Sequence, residues 1–157
     1  MDKNIKILQI NIQSIRPTDK REELEFFLNT EDIKIAYLQE IWLKEGESFR
    51  MRGYTLVSKR RAEGYGGVRI LIKDGLDFEP LNIRRFLPLE TIAVKITNLD
   101  QPLIVISVYA PPDTSITKQV ENKLTEFFET VETISEEMIV AGDFNAHHAM
   151  WDESRRE

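Results

Sequence analysis

The sequence predicts an α/β domain of the α+β type, built as two β-sheets packed face to face with helices outside. Three observations lead there. Short runs rich in β-branched residues recur along the chain, several in adjacent pairs joined by turn-forming residues, and these read as strands and hairpins. Only two stretches carry helical spacing. Strands in excess, with few helices among them, bury their apolar faces most simply as sheet on sheet with helices flanking.

Ile5 to Ile12 (IKILQINI) alternates apolar and polar residues and reads as the first strand. Arg16-Pro17-Thr18 breaks it, and Lys20 to Asn29 is read as a helix with Leu24, Phe27 and Leu28 on one face. Ile33 to Gln39 is a second, buried strand. Tyr54 to Ser58 and Val68 to Ile72 read as a hairpin, with a charged loop from Lys59 to Glu63 and a turn at Gly64, Gly66 and Gly67. Thr91 to Ile96 and Leu103 to Tyr109 form a second pair, which Ala110-Pro111-Pro112 ends, since proline cannot donate to a ladder. The clearest helix follows, with Ile116, Val120, Leu124, Phe127, Val131 and Ile134 spaced by three and four. Met138 to Ala141 is a last short strand running into Gly142-Asp143-Phe144-Asn145.

With 157 residues, 41% of them hydrophobic, the chain suits one domain with a substantial core. Cysteine is absent, which excludes disulfides and thiolate-bound zinc. The first residues lack the pattern of a signal peptide, and no run approaches the ~18 apolar residues of a membrane span. An intracellular protein without a membrane partner is the expectation. The net charge of −6 argues against strong nonspecific attraction to nucleic acid, although Lys59-Arg60-Arg61 and Arg84-Arg85 offer local basic patches.

Polar residues stand at several strand ends: Asn11, Glu40, Tyr109 and the pair Asp143 and Asn145. Each alone has an ordinary explanation as a turn former, a surface carboxylate or a core ring with a wet hydroxyl. Gly142 is expected to let the backbone turn as the last strand ends. If the chain stays extended beyond it, Asp143 and Asn145 project to one side, where a carboxylate can orient a water and a carboxamide can hold a phosphate oxygen. Hydrolysis of a phosphodiester calls for a hard cation, a positioned water and donors to the phosphoryl oxygens. Magnesium takes oxygen ligands, often one or two carboxylates plus waters and substrate phosphate, and this residue set can supply them.

In these pieces, namely LQINIQSI with Asn11, LQE with Glu40, GYGGVRILIK, SVYAPP with Tyr109 and AGDFNAHH, the chain resembles the endonuclease/exonuclease/phosphatase family. That family includes pancreatic deoxyribonuclease, abasic-site endonucleases and inositol polyphosphate phosphatases. GDFNAHH followed by Trp151 looks like the endonuclease domain of non-LTR retrotransposons. The resemblance implies a deoxyribonuclease-like sandwich with its site across one edge. It implies Glu40 as the principal ligand of Mg2+ (or Mn2+), with Asn11 beside it in the metal and phosphate shell. Tyr109 would contact the phosphate, Asp143 would activate or orient the water, and Asn145 would hold the phosphate or transition state. Arg60, Arg61, His147 and His148 are the candidates for meeting DNA. The retrotransposon branch nicks chromosomal DNA to leave a 3′-hydroxyl, which implies a nuclear site of action and a reverse transcriptase domain in the parent polyprotein.

Members of the family carry a further Ser-Asp-His-type motif, and none occurs in these 157 residues. The expectation is therefore a single domain over 1–157, incomplete at its C-terminus, lacking the last strands of the sandwich and impaired in catalysis. Two alternatives accompany it: a phosphatase of the same family acting on inositol phosphates, and a catalytically dead remnant that only binds.

Overall fold

A computed structural model describes residues 4–44, 46–58, 67–112 and 117–145. In chain order its elements are β1 (Ile7–Asn11), α1 (Thr18–Thr30), β2 (Ile35–Gln39), β3 (Tyr54–Val57), β4 (Arg69–Lys73), β5 (Phe78–Pro80), β6 (Glu90–Ile96), β7 (Leu103–Tyr109), α2 (Thr117–Val131) and β8 (Glu137–Asp143). They form two four-stranded sheets, ordered β1-β2-β4-β3 and β5-β6-β7-β8. Both expected hairpins are present, β3 antiparallel to β4 and β6 antiparallel to β7.

Strand alternation divides the interior into three layers. Ile35, Tyr37, Ile70 and Ile72 of the first sheet face Ile92, Val94, Ile96 and Val105 of the second. Ala36, Leu38 and Leu71 turn the other way, onto Leu24 and Leu28 of α1. Ala93, Ile104, Ile106 and Val108 face α2 through Val120, Phe127 and Val131. The result is helix, sheet, sheet, helix. Strands β2 and β7 are covered on both faces, which is why they read as nearly unbroken apolar runs.

Three features differ from what the sequence predicts. Phe27 is not part of the buried face of α1: it is 45% exposed, whereas Leu24 and Leu28, one turn apart, carry the contact. Phe27 stands about 100° round the helix from Leu28, enough to turn its ring outward. The second helix ends at Val131, and Ile134 joins the same core from the turn beyond it. Ile116 lies outside the described residues. Strand β5 was not anticipated, because three residues are too few to show alternation and its terminal Pro80 is tolerated only in an outer strand.

Two parallel pairs position the functional end of the molecule. β1 runs parallel to β2 and β7 parallel to β8, so each pair ends together. The sheets are tied across their interface by the hydroxyl of the fully buried Tyr37, which donates to the Ile139 carbonyl at 3.1 Å. Burial pushes the Tyr37 phenol well above its usual range. Among the described residues no helix is long and apolar enough to cross a membrane.

Candidate functional site

The inward-facing rows of the four parallel-paired strands change character along their length. β1 presents Ile7, Gln9 and Asn11 in register with Ile35, Tyr37 and Gln39 of β2. β7 presents Val105, Ser107 and Tyr109 in register with Ile139, Ala141 and Asp143 of β8. Apolar residues fill one end of the inter-sheet space and polar residues the other. Where the two meet, Gln9 Nε2 donates to Gln39 Oε1 at 2.6 Å, and Gln39 Nε2 donates to Ser107 Oγ at 3.1 Å. Gln39 and Ser107 are completely buried, and these bonds satisfy them while joining the two sheets.

Beyond that belt the expected site residues come together. Asn11 Nδ2 donates to Asp143 Oδ2 at 2.7 Å, the Asn145 backbone N–H to Asp143 Oδ1 at 3.0 Å, and Asn145 Nδ2 to the Ala110 carbonyl at 2.7 Å. The Tyr109 hydroxyl donates to Glu40 Oε1 at 3.3 Å. Two of these bonds, Asn11 to Asp143 and Tyr109 to Glu40, cross from one sheet to the other. A cavity of about 560 Å³ runs along the seam, between Gln9–Asn11 of β1 and Gly142–Asn145. Phe144, between the two polar residues of the last loop, stacks on Phe128 of α2 with centroids 6.3 Å apart. The helix thereby braces the loop that carries them.

The expected roles of Gly142 and of the extended chain after it are overturned. Gly142 lies inside β8, and its backbone is not left-handed. It is needed instead for close approach: a Cβ there would fall 1.8 Å from the Val108 carbonyl oxygen of β7. The turn comes later, at Asn145, whose φ is 45°. Its N–H is gathered in by the Asp143 carboxylate as an Asx turn, so the common local motif and the site geometry are the same structure.

Of the basic candidates, Arg84 is committed elsewhere. Its guanidinium sits 3.2 Å from Glu126 of α2 and 4.6 Å from the centre of the Phe86 ring, on the helix-covered face of the second sheet. Arg60, Arg61, His147, His148 and Trp151 lie outside the described residues.

Three contributors escaped the sequence reading: Gln39, Ser107 and Glu90. Glu90 is the register partner of Tyr109, and its Oε2 accepts the Gly67 N–H at 2.9 Å. A signal for it existed, since Glu90, Ile92, Val94 and Ile96 alternate and put this carboxylate in an otherwise inward-facing row. Burial, then the charge and hydrogen bond of Glu40, then Asp143 and Glu90, push the Tyr109 hydroxyl up to about 12. Tyr109 therefore remains a protonated donor throughout the neutral range. The raised value means the folded state holds this proton more tightly than the unfolded chain does. Its contribution to stability is expected to be complete below about pH 10 and to be lost as pH rises toward 12. Ultraviolet titration of tyrosinate against Tyr109→Phe checks this; a Tyr109 that ionises near 10 refutes it.

The donor set suits a hard cation. Asn11 Oδ1 is buried with no hydrogen-bond partner among the described residues, a costly state for an amide oxygen. Three carboxylates, Glu40, Asp143 and Glu90, act together on Tyr109. Among the described residues no three acidic or histidine side chains gather closely enough to enclose an ion. An oxygen-only, open set of this kind fits magnesium, which retains several waters.

Comparison with known proteins bears on the fold. A family model described as endonuclease-reverse transcriptase matches residues 103–157. A probable RNA-directed DNA polymerase from transposon X-element of Drosophila melanogaster is 28% identical over 154 residues, covering 96% of this chain and 16% of its own length. The chain spans 14–16% of the length of the curated relatives it matches. The endonuclease domain of TRAS1, a telomere-specific non-LTR retrotransposon, superposes with a TM-score of 0.65 at 22% identity, covering 94% of this chain and 62% of that one. A D. rerio TDP2 structure complexed with single-strand DNA product gives 0.72 at 19% identity, covering 94% and 63%. The two-sheet architecture is that of the deoxyribonuclease-like fold. The chain is similar to RNA-directed DNA polymerases of mobile elements over most of its own length, and it shares its fold with the endonuclease domain of a non-LTR retrotransposon.

Proposed function

We propose that this chain is the magnesium-dependent DNA endonuclease domain of a retrotransposon-type element, nicking DNA to leave a 3′-hydroxyl. The observation that carries the proposal is the meeting of Asn11, Glu40, Tyr109, Asp143 and Asn145 at one edge of the sandwich, with Asn11 Oδ1 buried and unpaired among the described residues. Glu40 and Asn11 would hold Mg2+, with Mn2+ as a substitute, and the ion would supply charge neutralisation for a phosphoryl group. Asp143, its two oxygens fixed by Asn11 and Asn145, orients a water and receives its proton. Asn145 spends one amide hydrogen on Ala110 and keeps the other for a phosphoryl oxygen. Tyr109, held in its protonated form, donates its one proton to Glu40 here and would turn it to the phosphate as a second donor once Glu40 holds the ion. A reverse transcriptase domain in the same polyprotein and a nuclear location complete the reading.

The test is nicking of supercoiled plasmid with magnesium or with chelator, beside phosphate release from an inositol phosphate. We expect magnesium-dependent open circles whose ends a polymerase can extend, and no phosphate release. The rate should be slow, because a proton-transfer partner typically contributes 10²–10⁴-fold and the Ser-Asp-His motif is not among these residues. Calorimetry should show magnesium binding that Glu40→Gln abolishes. Nicking or heats indifferent to Glu40→Gln would overturn the proposal, and phosphate release would favour a phosphatase.

A further inference from the structure

Among the described residues six non-glycine positions have left-handed backbone: Gln13, Ser14, Asp32, Glu40, Trp42 and Asn145. All but Asp32 lie in the three loops that meet at the candidate site. Asn and Asp visit this conformation readily, but for a bulky residue it is an outlier, and such outliers cluster at functional positions. Trp42 is the bulkiest of the set, with φ at 57°. Its neighbours Ile41 and Leu43 are both buried in the core beneath α1. Ile41 is also pinned by backbone bonds, its carbonyl accepting from Ile15 N–H at 3.0 Å and its own N–H reaching the Gly67 carbonyl at 3.4 Å. The loop is thus anchored on either side of residue 42 in a conformation that turns the indole outward, where it stays 53% exposed.

We infer that Trp42 is a stacking platform for a nucleobase of the strand that Glu40 and Asp143 engage, a binding determinant outside the catalytic set. This rests on the DNA-acting reading above. Consecutive Cα atoms are about 3.8 Å apart, so residue 42 lies at most ~7.6 Å along the chain from Glu40. A nucleic-acid strand advances roughly 3.4 Å per nucleotide in a duplex. The two backbone positions are therefore no more than about two nucleotide steps apart, and the outward indole projects from the same loop as the carboxylate. A fixed aromatic face stacks on any base, so it adds affinity without reading sequence. It also compensates for a chain whose net charge of −6 gives little electrostatic attraction to DNA.

The experiment isolates the indole signal in a Trp151→Phe background, since the chain has two tryptophans. A single-stranded 20-mer oligothymidylate is titrated in chelator, so that cleavage does not intervene. We expect quenching of the Trp42 emission. Trp42→Ala, followed by anisotropy of a labelled 20-mer, should bind roughly 5- to 100-fold more weakly, while Trp42→Phe keeps most of the affinity. Unchanged emission and equal affinity of Trp42→Ala would overturn the inference while leaving the DNA-acting reading intact. Absence of oligonucleotide binding by every form would overturn both. A change of oligomeric state in Trp42→Ala, with oligonucleotide affinity unchanged, would assign the ring to a protein contact instead.

Discussion

Gly142→Ala is expected to destroy the native packing of the second sheet. The added Cβ would lie 1.8 Å from the Val108 carbonyl oxygen, 2.7 Å from its carbonyl carbon and 2.9 Å from its nitrogen. All three are backbone atoms of β7, which is held by β6 on one side and β8 on the other, and Val108 itself is fully buried. No side-chain rotation relieves such a contact; the strands must part. Overpacking of cores by flexible groups usually costs about 1–3 kcal/mol, and this case should exceed that range. It would consume much of a typical stability of roughly 5–15 kcal/mol. Gly75→Ala is the control, because its left-handed backbone (φ +100°) meets nothing within 4 Å and should cost only about 1–2 kcal/mol. Urea unfolding followed by circular dichroism compares the two. A Gly142→Ala protein as stable as Gly75→Ala would mean that β7 and β8 are not paired in this register.

The second large effect is chemical. Asp143→Asn should lower the single-turnover nicking rate by about 10²–10⁴-fold, the usual contribution of a proton-transfer group. Both oxygens of Asp143 accept hydrogen bonds, one from Asn11 and one from the Asn145 backbone. An asparagine can satisfy only one of these donors with its oxygen; its amide group then faces the other, donor against donor. The unpaired donor should cost about 1–3 kcal/mol of stability as well. Asn11→Asp tests the same contact from the other side by placing two carboxylates together, and magnesium should rescue its melting temperature more than it raises that of the native chain. Undiminished nicking by Asp143→Asn would remove this residue from the catalytic set.

Most strands were legible because β-branched alternation and proline or turn punctuation are local signals, as in Leu103 to Tyr109 closed by Ala110-Pro111-Pro112. α2 was legible for the same reason, and the strand ends marked Asn11, Glu40, Tyr109 and Asp143 as candidates. Local pattern misread what depends on a neighbour. Gly142 looked like a hinge, but its requirement comes from the backbone of β7, which is 34 residues distant in sequence from Val108 to Gly142. Phe27 looked buried because its spacing fits a helix face, while only Leu24 and Leu28, one turn apart, meet the sheet beneath α1 and Phe27 stands round the helix from them.

Residue types and their order along the chain were enough to specify alternating strands, two helices and a set of oxygen-bearing side chains suited to phosphate and a hard cation. Their convergence depended on two parallel pairings and on which faces of the two sheets meet. Those choices bring Asn11 to Asp143 and Tyr109 to Glu40, and bury Gln39 against Ser107. Side-chain direction in a strand has a period of two, so a slip of one residue in either pair would turn the whole polar row away from the seam. Burying the apolar rows between the sheets excludes that slip, and the energy that does so comes from contacts between segments far apart in sequence.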